Sequence, residues 1–317
     1  MRSVDLKDIY ARRRPGRRVH GMAALLLPFT PAGDFAEDAY TACLRATVAA
    51  GLTPAVNMDT GYVNLLTADE KRRILKLTRA VLNDVPFVAG VYIEGQDGDI
   101  ADLYQREIAA VVEHGGTPIL FQTSRLHQAP ADRIVAVYRQ AVAGVETAYA
   151  FELGPVFAPN GAIWPLDLVQ EIMRIPQIKG MKHSSLDRLP EIERLELRDR
   201  VRPEFRIFTG NDLAIDMIEY GSDYLLGLAA FAPAQFAERD RLWAANAPGY
   251  FAVADALQHL GNVAFRPPVA AYKHSAAIFL HLLDKIPSDR THPRSPPRPD
   301  WEHDLMRQCA VRLGLLE

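Results

Sequence analysis

The sequence predicts an α/β chain folded as a (β/α)8 TIM barrel with a small C-terminal helical appendage. Three observations lead there. Eight short apolar bursts alternate with helix-length segments, a rhythm that implies right-handed crossovers and parallel pairing. The first burst runs into "LPFTPAGD" rather than the GxGxxG turn of an open dinucleotide-binding sheet, which favours closure of eight units into a barrel. Helical patterning then continues past the eighth unit, more than a barrel requires. The expected organisation is an arm over residues 1–20, the barrel over 21–262 and a helical extension over 263–317.

Each unit can be read in turn. "AALLLPFT" (Ala23 to Thr30) is the first strand, and "DAYTACLRATVAAG" carries apolar positions at helical spacing up to Gly51. "LTPAVNMDTG" is the second strand and its loop. In the helix that follows, Thr67 precedes Glu70 by three positions, the signature of a capping box. "PFVAGVYI", "TPILFQTS" and "TAYAFELG" are the third, fourth and fifth strands, each followed by a helical segment; a Pro/Gly-rich loop, "PVFAPNGAIWP", follows the fifth. "QIKGMKHSS", "EFRIFTGND" and "SDYLLGLAAF" are the sixth, seventh and eighth. In the extension, two helical patterns flank "PSDRTHPRSPPRPD", read as an extended surface connector.

Composition narrows the function classes. The 317 residues carry a formal net charge of −3, which gives no reason to expect nucleic acid or an anionic membrane as partner. The basic run "ARRRPGRRVH" lacks interleaved aromatics and reads as a solvated arm. Two cysteines, Cys43 and Cys309, point to reduced thiols rather than a disulfide scaffold. A charged N-terminus and the lack of a long apolar run predict a cytoplasmic protein.

Chemistry in such a barrel gathers at the C-terminal strand ends. There the sequence places Lys182, inward-facing if it shares a face with Gly180. Burial disfavours an ammonium, so its pKa should fall and leave some neutral amine able to attack a carbonyl. The competing reading is a lysine that snorkels to the rim or pairs with Glu152. Other strand ends supply polar turns. Asp59, Thr60 and Gly61 offer amides for an anion, Thr209 to Asp212 form a second glycine turn, and Gly227 leaves room for a ligand.

The order of these features resembles the dihydrodipicolinate synthase/N-acetylneuraminate lyase family, from "LLLPFT" through "NMDTGYVNLLTADEK", "IKGMKHSS" and "TGND" to the C-terminal helices. The resemblance implies a (β/α)8 barrel, typically tetrameric, whose strand-six lysine forms a Schiff base with pyruvate or another 2-oxo acid. Lys182 matches that nucleophile. Asp59-Thr60-Gly61-Tyr62 matches the family's Thr-Thr-Gly-Glu motif, which implies that Thr60 and the neighbouring amides hold the substrate carboxylate. Gly210, Asn211, Asp212 and Gly227 fall where the family shapes its pocket. Two departures stand out. Phe151, in "FELG", occupies the position of the family's proton-shuttling tyrosine, and "QTSR" (Gln122 to Arg125) replaces a Pro-Tyr-Tyr stretch. Both argue against dihydrodipicolinate synthesis itself.

The resulting expectation is a Schiff-base lyase or aldolase for a 2-oxo acid, such as a 2-keto-3-deoxy sugar acid, acting by C–C cleavage or dehydration without a cofactor. Tyr62 ranks first as replacement proton carrier, ahead of Tyr92, Tyr149, His183 and Glu152, and Arg125 is placed to bind the substrate's tail. A dimer or tetramer is expected. Two alternatives stand beside it. One is a metal-assisted hydrolase or lyase using Asp59, Glu152, His183 and Asp212; the other is a 2-oxo acid-binding homologue without catalysis, suggested by Phe151.

Overall fold

The structure, a computed structural model, describes residues 6–158 and 161–317. Eight parallel strands close in sequence order: β1 (Gly21–Ala24), β2 (Thr53–Val56), β3 (Val88–Val91), β4 (Thr117–Phe121), β5 (Ala148–Leu153), β6 (Ile178–Ser184), β7 (Arg206–Thr209) and β8 (Asp223–Leu226), with β8 pairing back onto β1. All eight apolar bursts hold a strand. The helices are α1 (Leu6–Ala11), α2 (Glu37–Ala49), α3 (Ala68–Leu82), α4 (Ile100–Glu113), α5 (Ala131–Ala141), α6 (Leu166–Met173), α7 (Arg188–Val201), α8 (Pro233–Ala244), α9 (Tyr250–Ala264), α10 (Tyr272–Leu282) and α11 (Glu302–Arg312). Thr67 and Glu70 form the expected capping box at the start of α3. Between β7 and β8 the chain makes a 3₁₀ helix, Ile215–Tyr220, rather than an α-helix, because Gly221 (φ 111°) turns it out after six residues.

Alternation along the strands builds two apolar layers. Met22, Ala55, Ile119, Phe121, Phe151, Phe208 and Leu225 fill the barrel. Outward residues such as Ala89, Leu120, Met181 and Ile207 pack with the surrounding helices. The register pairs Phe151 with Lys182 and Lys182 with Phe208, so these three side chains share one level of the barrel interior.

Two surface segments make contacts beyond those expected. The basic arm is half-exposed, and ion pairs lay it over the N-terminal face. Arg12 and Arg14 reach Asp199, Arg13 reaches Glu219 at 2.7 Å, and Arg17 reaches Asp223 at 2.8 Å. Its acidic partners lie in α7 (Asp199), the 3₁₀ helix (Glu219) and the start of β8 (Asp223), far along the chain, which a local charge pattern does not reveal. The Pro/Arg connector is the irregular surface segment expected, and it lies over the C-terminal face. His292 packs its ring against Phe29 and Tyr62, and Arg294 donates to the Leu65 carbonyl at 2.8 Å. Buried Glu302 ties the extension together by accepting from Ser275 and pairing with Arg266 and Arg298. The expected boundary at residue 262 falls inside α9, which continues to Ala264. Cys43 and Cys309 are free thiols. No described helix is long and apolar enough to cross a membrane.

Candidate active site

Lys182 sits in the second half of β6 with its side chain inside the barrel, only 8% exposed. Its Nζ lies 4.3 Å from the centroid of the Phe151 ring. No hydrogen bond or ion pair joins Nζ to any described residue. The ring face offers a weak electrostatic perch and no proton acceptor. Burial lowers the amine's pKa, and the charges of Asp212 and Asp59 offset this only in part, leaving it at about 8. A measurable share of the amine is therefore neutral near physiological pH.

Gly210 makes this position available. Its amide donates to the His183 carbonyl at 2.7 Å. A β-carbon there would fall 2.5 Å from Lys182 Cε and 2.0 Å from Ser184 Oγ. Both obstructing atoms can swing away, so Gly210→Ala is expected to fold with a loss of about 1–3 kcal/mol while displacing the amine. Comparison of its urea unfolding with its rate of reductive trapping by pyruvate checks this. Unchanged trapping would show that the lysine does not need that space.

Asp212 follows Gly210 in the same turn. It is buried, and Oδ1 accepts from the Leu228 amide at 2.8 Å. Burial raises its carboxyl, with the Leu228 hydrogen bond and the Lys182 charge pulling the other way, to about 7. Amine and carboxyl thus have neighbouring titration ranges. Asn211, also buried, uses Oδ1 to accept from the Leu213 amide and so shapes its own turn.

The end of β2 forms a 3₁₀ turn, Asp59–Gly61. The Gly61 amide bonds to the Met58 carbonyl at 3.0 Å, so it is not free for an anion as expected. The amides of Asp59 and Thr60 have no acceptor among the described residues, as befits the first turn of a helix. The side chains at this turn meet the extension. The Tyr272 hydroxyl donates to Asp59 Oδ2 at 2.9 Å and lies 2.9 Å from Thr60 Oγ1; Lys273 Nζ is 3.1 Å from Asp59. Gly227 clears the approach: a β-carbon there would be 3.1 Å from Thr60 Oγ1 and 3.2 Å from the Tyr272 ring. Nothing in the local sequence of α10 announced this contact.

Other expected participants lie elsewhere. Tyr62 takes a left-handed backbone (φ 59°), and its fully buried ring is wedged between Phe29 and His292 in the outer apolar layer, beneath the connector. Arg125 is exposed and donates to the carbonyls of Gln96 and Gly98, stapling the loop after β3 rather than addressing the barrel mouth. Tyr149 packs on Phe208 toward the barrel floor, and Tyr92 packs edge-on to Phe121. Glu152 and His183 face outward. Glu152 accepts from Arg194 at 2.5 and 2.8 Å, sits 2.7 Å from His183 Nδ1 and accepts from the Trp164 amide. Burial would raise its pKa, but His183 and Arg194 hold it below the usual carboxylate value. The four proposed metal donors are thereby split between two sides of the barrel wall, and no three His, Cys, Asp or Glu residues among those described converge on one point.

The barrel has solved counterparts of the same shape. Dihydrodipicolinate synthase from Thermotoga maritima is 16% identical with a TM-score of 0.79, covering 94% of this chain and 99% of its own. The Acinetobacter baumannii synthase, complexed with pyruvate, is 15% identical with a TM-score of 0.78, covering 95% and 100%. YagE from E. coli K12, a prophage protein of the dihydrodipicolinic acid synthase family also complexed with pyruvate, is 14% identical with a TM-score of 0.79, covering 94% and 99%. At these identities the likeness establishes the fold. The chain itself belongs to the family described as "Protein of unknown function (DUF993)", whose model matches residues 50–288. No curated protein matches it in sequence.

Proposed function

We propose that this protein is a Schiff-base lyase or aldolase acting on a 2-oxo acid, with Lys182 as nucleophile. The observation that carries the proposal is the amine itself: buried, unpaired and brought to a pKa of about 8 over the face of Phe151. Its neutral form attacks the keto carbon, while Asp212 takes up the proton that the ammonium gives away. The imine then draws electrons from the neighbouring carbon, which makes C–C cleavage or loss of a β-hydroxyl feasible near neutral pH. The amides of Asp59 and Thr60 receive the substrate carboxylate.

Two structural neighbours were solved with pyruvate bound, which supports a 2-oxo acid as ligand class.

Treatment with pyruvate and borohydride tests the reading. The expected product is Nε-(1-carboxyethyl)lysine on the peptide containing Lys182, formed equally well in the presence of a chelator. Protein that stays unlabelled at Lys182 across a panel of 2-oxo acids would remove imine chemistry.

A further inference from the structure

Phe151 leaves the barrel wall without a proton carrier where the reaction needs one. We infer that the C-terminal extension supplies it: Tyr272, at the first turn of α10, is a catalytic residue that works as a proton relay with Asp59. The inference rests on the imine assignment to Lys182. Tyr272 is buried, and its hydroxyl bridges Asp59 and Thr60. Gly210 abuts the Lys182 side chain, Asp212 two residues on accepts from the Leu228 amide, and Gly227 beside it abuts Thr60 and the Tyr272 ring, so a continuous run of contacts links the two groups at the barrel mouth. The absent side chain of Gly227 opens the mouth toward the Tyr272 ring. Stacking on Phe265 at 4.4 Å and the Lys273–Asp59 pair hold the ring and its acceptor in place.

A phenol has one proton to give and lone pairs to receive another, which is what a relay requires. In a cleavage, the substrate's γ-hydroxyl passes its proton to the Tyr272 oxygen as the Tyr272 proton moves to Asp59 Oδ2. The bond between the β- and γ-carbons (C3 and C4) of the 2-oxo acid breaks, its electrons flow into the imine to form an enamine, and the γ-carbon leaves as an aldehyde. The relay then runs backward. Asp59 returns its proton to Tyr272 while the Tyr272 proton goes to the enamine carbon, and hydrolysis of the imine frees the 2-oxo acid and the lysine. No external oxidant or reductant enters. Burial and the Asp59 charge push the Tyr272 hydroxyl far up, so it acts by concerted exchange and not as a standing phenolate.

Pyruvate in D2O separates the relay from the imine. The wild-type protein is expected to exchange the pyruvate methyl protons, followed by NMR, and to be trapped at Lys182 by borohydride. Tyr272→Phe should still be trapped, which also certifies a folded site, while exchange falls by about 100-fold or more. Asp59→Asn should show the same split, reading the relay from its other end. Trapping and exchange both at wild-type rates in the two variants would overturn the relay and leave the imine standing. Failure to trap the wild-type protein would overturn the imine, and the relay with it.

Discussion

Lys182→Met is expected to abolish pyruvate trapping entirely and, at the same time, to make the protein more stable. The second effect follows from linkage. An unfolded lysine titrates near 10.4, whereas Lys182 in the native state titrates at about 8. Below pH 8 both states hold the proton, and the full penalty of burying the ammonium stands, about 3 kcal/mol from a shift of this size. Between pH 8 and about 10.4 the unfolded chain binds a proton that the native protein has released, so wild-type stability rises with pH in that window. The methionine variant has no such rise. Urea unfolding should therefore show the variant ahead by up to about 3 kcal/mol at pH 7, with the gap closing toward pH 10. A variant that is less stable at pH 7 would mean that the ammonium is well accommodated, and the reason for a reactive amine would be gone.

Glu152→Gln should produce the largest loss of stability. The carboxylate is fully buried and joins Arg194, His183 and the Trp164 amide. An amide cannot accept two guanidinium hydrogen bonds and balance the charge, so Arg194 is left buried and unneutralised. Breaking a buried pair from one side costs about 3–5 kcal/mol. Because His183 is adjacent to Lys182 on β6, the same change loosens the strand that aims the amine. Urea unfolding measures the first effect and the trapping rate the second. A loss under 1 kcal/mol would show that the network is ornamental to the barrel wall.

The parts of this molecule that could be read from sequence are those set by local chain physics. Strand bursts, the Thr67–Glu70 cap and the inward phase of Lys182 follow from side-chain period and turn chemistry. The outward placement of Glu152 and His183 follows from the same alternation. What the sequence hid are contacts made across the chain. Tyr272 meets Thr60 from 212 residues away, and nothing in an apolar helix distinguishes that tyrosine from a core residue. Tyr62 was favoured because of its place beside the β2 turn, but its left-handed backbone at the end of that turn sends the ring outward under the connector. Arg125 had the right charge and the wrong neighbours: the carbonyls of Gln96 and Gly98 claim its guanidinium. The arm's ion pairs were hidden for a similar reason, since Asp199 lies in α7, Glu219 in the 3₁₀ helix and Asp223 in β8.

The most direct measurement is the pH profile of reductive trapping, with pyruvate as probe and the Lys182 peptide quantified by mass spectrometry. A half-neutral amine in the barrel mouth predicts a trapping rate that rises with pH and levels off around a midpoint near 8. A profile still climbing through pH 10, or label distributed over surface lysines in place of residue 182, would contradict it.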